Sequence, residues 1–249
     1  MQFKTFGNEK KPPILLLHGG GLSWWSWEPV ITLLEHDFYI HAVILDGHGD
    51  DYLTTFTGIE QAADHILSYI DTYLEGSVHL ICGLSIGAQI ALELLSRREN
   101  ITSYAVIESA LVMPIKGITT LAVPTYTLMY GLIKQKWFSR LQAKSLLLPD
   151  NMLDRYYEDS IKMTKQSLIK MTIANGNYSV KQGLKKSNAK TLILVGGKEL
   201  GIMKKSAELL NQAIPSAKLE ILPGLKHGEL SLTKASEYVK RIHELEHKL

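Results

Sequence analysis

Short runs of consecutive apolar residues alternate along this chain with longer stretches of helical periodicity, the pattern of repeated strand–helix units. The strand-like runs are residues 13–18 (PILLLH), 38–45 (FYIHAVIL), 77–82 (SVHLIC), 104–107 (YAVI), 191–195 (TLILV) and 218–222 (KLEIL). Runs without polar alternation predict strands covered on both faces, as in a parallel sheet flanked by helices. Helices are predicted at 59–74, 86–98, 203–213 and 230–247. In the first of them Ile59, Ala62, Ala63, Ile66, Leu67 and Ile70 fall at helical spacing and form one apolar face.

The alternation breaks once. From Leu111 to Lys186 no strand-like run occurs, and turn signals stand at Pro149-Asp150-Asn151 and Asn175-Gly176-Asn177. This predicts a single α/β domain over 1–249, with a helical cap inserted at about 111–186 between sheet strands. The uncharged stretch 117–133, between Lys116 and Lys134, is shorter than the ~20 apolar residues of a membrane-spanning helix and contains Pro124. It reads as a cap over a pocket, with weak association with a lipid surface left open and no stable membrane insertion. The cap's apolar residues (Leu111, Val112, Met113, Ile118, Leu121, Val123, Leu128, Met129 and Leu132) are expected to line a site for a small or medium apolar chain.

Composition narrows the field further. Of 249 residues 45% are hydrophobic and 21% charged, an ordinary globular mix that excludes a largely disordered chain. Lys+Arg 27 against Asp+Glu 25 leaves +2, with no basic stripe of the kind that marks nucleic-acid binding. The single cysteine, Cys82, excludes an internal disulfide framework and a cysteine-based zinc site, and on a buried strand it reads as an inert packing thiol. Residues 1–11 carry scattered charges and lack the apolar core of a secretory signal, so a cytoplasmic location is expected. No dinucleotide or phosphate-loop fingerprint occurs, so no cofactor is expected. His18 and His48 have no second donor at metal-ligand spacing, so no metal is expected either.

The chemistry concentrates at Gly83-Leu84-Ser85-Ile86-Gly87, between a predicted buried strand and a predicted helix. A serine on so tight a turn needs small neighbours, and the helix start aims free N–H groups at the same spot. With His18-Gly19-Gly20-Gly21 and Asp46-Gly47-His48-Gly49 each following a strand, the chain resembles the α/β-hydrolase superfamily, in its serine esterase and lipase-like members with a helical cap. The resemblance covers nearly the whole chain except the cap. It implies Ser85 as nucleophile and a histidine base beyond the last strand. His227 fits that place, in a loop after Pro223-Gly224, whereas His243 and His247 sit in a charged terminal helix. The family's acid implies Glu199, in Gly196-Gly197-Lys198-Glu199, where aspartate is more common; Glu108, at the end of the fourth strand-like run, stays open as the alternative. Backbone N–H groups of Gly20 and Ile86, with Gly21 sharing the role, are implied as the oxyanion hole. Trp27 is expected in the core, and Trp24 and Trp25 nearer the pocket.

The reaction so implied is hydrolysis of carboxylic esters of small to medium apolar acyl chains through an acyl-enzyme on Ser85. C–C bond, thioester or amide hydrolysis by the same triad is the alternative, as is ligand sensing on the same fold. The partner is a small-molecule ester rather than a nucleic acid; the sequence leaves oligomeric state open.

Overall fold

The computed structural model describes residues 1–248. Among them seven strands form one sheet: β1 (Gln2–Phe6), β2 (Pro13–Leu17), β3 (Tyr39–Ile44), β4 (Val78–Leu84), β5 (Thr102–Glu108), β6 (Lys190–Gly196) and β7 (Ala217–Leu222). Their order is β1-β3-β2-β4-β5-β6-β7, all parallel except β1. Six of the seven match the apolar runs. β1 has no such run, because it is an edge strand with no fully buried residue, pairing antiparallel from Gln2 opposite Ile44 to Phe6 opposite Ile40.

Alternation along each strand divides the core in two. Leu15, Leu17 and Ile81 pack against α2 (Ile59–Tyr73) and α3 (Ile86–Arg97), and the same layer continues to α8 (Gly201–Ala213). Ile14, Leu16 and Leu80 face the other layer, built on α1 (Glu28–Leu34) and α10 (Ala235–Lys248). The helix predicted at 230–247 is divided: α9 (Glu229–Thr233) ends at Lys234, whose non-helical backbone (φ −131°, ψ 49°) separates it from α10.

Between β5 and β6 the chain runs through α4 (Ile118–Ile133), α5 (Lys136–Ser145), α6 (Leu153–Lys162) and α7 (Lys165–Asn177). Pro149-Asp150-Asn151 turns the chain from α5 to α6 as expected. Asn175-Gly176-Asn177 does not turn; it completes α7. Gly176 serves packing there, since a Cβ on it would lie 2.7 Å from Ile118 Cγ1, so its bare backbone lets α4 settle on α7. Among the described residues no helix is long and apolar enough to cross a membrane.

Candidate active site

β4 passes into α3 through one residue. Ser85 donates its N–H to the Glu108 carbonyl at 2.9 Å, as the last rung of the β4–β5 ladder, and its own carbonyl accepts from Gln89 N–H at 3.1 Å as the first bond of the helix. Serving both forces Ser85 to φ 55°, ψ −115°, a conformation that costs a side-chain-bearing residue about 1–3 kcal/mol. The flanking glycines are required by close approach. A Cβ on Gly83 would lie 2.6 Å from Ala88 Cα, and one on Gly87 would lie 2.2 Å from the Leu17 carbonyl oxygen.

The loop after β2 comes to the same place. A Cβ on Gly20 would stand 3.7 Å from Ile86 Cγ2, so the loop lies against the side chain of the first residue of α3. Neither the Gly20 nor the Ile86 N–H enters a backbone hydrogen bond among the described residues. His18 aims the first of them. Its Nε2 accepts the Leu45 N–H at 3.2 Å, so Nδ1 carries the proton and donates to the Gly19 carbonyl at 2.8 Å. In a trans peptide the C=O and the following N–H point oppositely, so pinning Gly19 O turns Gly20 N–H away from His18. Burial lowers the His18 pKa to about 3, with His48 5.2 Å away adding to the effect, and the ring stays neutral.

His227 follows β7 in a loop that crosses Gly196, with Lys198 N–H donating to Leu225 O at 2.9 Å. Gly228 abuts the elbow: a Cβ on it would lie 2.9 Å from Leu84 Cδ1, so the residues next to Ser85 and His227 touch. The His227 ring is 42% exposed while the Glu199 carboxylate is 1% exposed, and they meet at 2.8 Å from Nδ1 to Oε2. Glu199 Oε1 accepts from Ser109 Oγ at 2.8 Å and Gly196 N–H at 2.7 Å. Burial alone would raise the Glu199 pKa; the bond and charge of His227, with the Gly196 and Ser109 donors, outweigh it and hold the carboxyl below its ordinary range. An ionised carboxylate only accepts, so His227 Nδ1 bears hydrogen and Nε2 carries the lone pair. The structure draws no hydrogen bond between Ser85 Oγ and His227 Nε2; such pairs commonly tighten only once substrate is aligned.

Of the two candidate acids, Glu199 is the one joined to His227. Glu108 instead accepts the Ser231 N–H at 3.4 Å, and its Oε2 is buried without a hydrogen-bond partner. Burial, opposed by the Ser231 bonds and the nearby His227, raises its pKa to about 7. A carboxyl whose folded pKa lies above its unfolded value adds stability below pH 4.5, and that stability is lost as pH rises through about 7. The stability difference, wild type minus Glu108→Gln, is therefore expected to fall by about 3 kcal/mol or less from pH 5 to pH 8, while the buried His18, His41 and His48, whose pKa values burial lowers, impose an opposite slope common to both proteins. Calorimetry of both proteins at each end of that range checks it.

Ser109 is a site residue that sequence reasoning missed. It sits at φ 56°, donates to Glu199 and accepts the Gly228 N–H at 3.3 Å, tying the acid to the histidine loop. Only its place one residue beyond the end of β5, beside Glu108, could have flagged it. Cys82 is fully buried and burial pushes its thiol up to about 12, so it stays protonated. Among the described residues no three His, Cys, Asp or Glu are grouped to hold a metal ion.

A cavity of about 430 Å³ opens from Gly20 and Gly21 under the inserted helices. Its walls are Tyr126, Ile133, Leu141, Leu146, Tyr156, Met163, Leu168 and Met171, with Gln142, Ser145 and Ser160. None of the nine apolar residues expected to line it does so. Leu111 and Val112 belong to the main core, while Leu121, Val123, Leu128, Met129 and Leu132 are exposed, because α4 turns its aromatic stripe inward. The tryptophans also differ from expectation in part. Trp27 is in the core, but Trp25 is buried with Nε1 donating to Asp159 Oδ2 of α6 at 2.7 Å, and Trp24 packs on Phe6. Both fasten surfaces together and neither lines the cavity.

Comparison with known proteins places these features in context. A family model described as the Alpha/beta hydrolase family matches residues 14–240. A pimeloyl-[acyl-carrier protein] methyl ester esterase of Neisseria meningitidis serogroup C is 24% identical over 249 residues, covering 92% of this chain and 94% of the relative. Among solved structures, a carboxylesterase of Nitrososphaera gargenis superposes with TM-score 0.79 at 20% identity, covering 98% of this chain and 93% of that one. An esterase from Exiguobacterium antarcticum gives TM-score 0.79 at 18% identity, with 98% and 94% covered.

Proposed function

Since the chain belongs to the alpha/beta hydrolase family, we propose that this ester-cleaving enzyme works through an acyl-enzyme on Ser85, with His227 as base and Glu199 as the acid that orients it. His227 Nε2 takes the Ser85 proton as Oγ attacks the ester carbonyl. The carbonyl oxygen, now anionic, receives the Gly20 and Ile86 N–H groups, each such donor contributing about 2.7–4 kcal/mol to the transition state. His227, cationic and steadied by Glu199, returns the proton to the departing alcohol. Water, deprotonated by the same nitrogen, then releases the acid and restores Ser85.

The observation that carries this reading is the 2.8 Å bond between His227 Nδ1 and the buried Glu199, which leaves Nε2 as the basic nitrogen beside the elbow. The substrate follows from the cavity. Its volume lies within the ~300–1,000 Å³ of small-molecule sites, and leucine, methionine and tyrosine walls next to Gly20 suit an apolar acyl chain of small to medium length. Similarity to a methyl ester esterase agrees with a small alcohol half and a longer acyl half.

A series of p-nitrophenyl esters tests this. We expect kcat/KM to rise from acetate through butyrate, to peak at about six to eight carbons and to fall for palmitate, with turnover continuing past the first acyl-enzyme. A single burst without turnover on every ester would favour the sensor alternative. Flat or absent activity on esters, with cleavage of an anilide or thioester, would move the reaction to another acyl bond.

A further inference from the structure

The cap's outer side carries an unusual surface. Among the described residues fourteen large hydrophobic side chains are exposed, and eight of them fall between residues 115 and 141, led by Leu128 (83%), Trp137 (62%), Leu121 (61%) and Leu141 (60%). α4 packs inward through Ile118, Ala122, Tyr126, Tyr130 and Ile133, so its aliphatic residues are left facing out, and the helix contains no charged side chain at all. A solvent-facing helix surface without charge is what a soluble monomer ordinarily avoids.

Charge along this segment of the chain is one-sided. Residues 109–149 contain five cations (Lys116, Lys134, Lys136, Arg140 and Lys144) and no aspartate or glutamate, in a chain whose net charge is only +2. Lys134 is engaged with the Ile161 and Met163 carbonyls, and Lys136 with Asp154 at 3.1 Å. Arg140 and Lys144, one and two turns further along α5, are exposed with no ion pair among the described residues. Trp137 and Leu141 form the neighbouring line on the same helix. An apolar face rimmed by unpaired cations and carrying a tryptophan complements an anionic lipid surface, whose interface takes up both the aliphatic groups and the positive charge. A second copy of the chain would set these cations against one another across a two-fold axis. At 16 residues α4 is about 24 Å long, short of the ~30 Å hydrocarbon core, so it would lie along the interface.

We propose that the outer face of α4 and α5 docks on an anionic lipid bilayer, with Leu128 and Trp137 entering the headgroup boundary and Arg140 and Lys144 meeting lipid phosphates. Leu141 is both exposed on this face and part of the cavity wall that leads to Gly20, so docking brings the cavity mouth to the lipid phase. The docking does not depend on the catalytic roles given above.

Flotation of the intact protein with vesicles of phosphatidylcholine alone, or with about one-third phosphatidylglycerol, tests it. Partitioning is expected to be at least about tenfold stronger on the anionic vesicles and to fall as salt screens the cations. Ser85→Ala should float as well as wild type, which separates docking from the catalytic reading. Leu128→Asp, and the pair Arg140→Glu with Lys144→Glu, should each lower partitioning by about tenfold, with Tm and hydrolysis of a soluble acetate ester unchanged. Absence of wild-type flotation on anionic vesicles overturns the proposal, as does equal flotation on neutral ones. So does a solution dimer that Leu128→Asp dissociates, which would assign the face to a second copy, or salt-sensitive capture of an acidic carrier protein without vesicle binding.

Discussion

Ser85→Ala is expected to lower kcat on a p-nitrophenyl ester by about 10⁶-fold, the scale of loss when a serine nucleophile is removed from an acyl-transfer triad. It should also abolish covalent labelling by a fluorophosphonate. The size of the effect follows from the elbow. Ser85 is the sole residue of the β4–α3 turn, held by backbone bonds to Glu108 and Gln89, and no other hydroxyl shares its position at the start of α3. Alanine keeps the Cβ and therefore the same strained φ of 55°, so the variant should fold with nearly the wild-type Tm. Loss of activity with an unchanged melting curve would tie the defect to the missing oxygen. Labelling that survives in Ser85→Ala would place the nucleophile elsewhere and end the proposed mechanism.

Much of this molecule was readable because buried parallel strands write themselves as apolar runs, as β2 to β6 did, and the half-exposed edge strand β7 still showed as a shorter one. The glycines of the elbow were equally legible, since Gly83 and Gly87 each face backbone atoms closer than any Cβ tolerates. The cap was readable as helices but not as surfaces. Along α4 no charged residue is interleaved with its apolar ones to mark an outward face, and burial there is decided by which stripe meets α7. The aromatic Tyr126 and Tyr130 took that place, because their hydroxyls reach Thr172 Oγ1 and the Met163 carbonyl across the contact, at 2.9 Å in each case. Ser109 was invisible for a related reason. Its role comes from hydrogen bonds to residues 90 and 119 positions away in the chain, which no local pattern encodes.

The choice between two carboxylates can be decided by a paired experiment. Glu199→Gln is expected to lower kcat by about 10⁴-fold, as when the orienting carboxylate of a serine triad becomes an amide. Glutamine keeps the shape, but its amide nitrogen cannot accept from His227 Nδ1–H. Its Oε1 position already takes the Ser109 and Gly196 donors, so the amide oxygen will settle there and present N–H to the ring. His227 would then carry its proton on Nε2, the nitrogen that must accept from Ser85, and the imidazolium formed during attack would lose its counter-charge. Glu108→Gln removes a carboxyl whose bond is to Ser231 and whose other oxygen is already unpartnered, so kcat should stay within about tenfold of wild type while the pH-dependent stability that Glu108 itself contributes is lost. The reverse pattern, a mild Glu199→Gln with a crippled Glu108→Gln, would give the orienting role to the end of β5 and make the 2.8 Å contact of His227 with Glu199 a loop anchor.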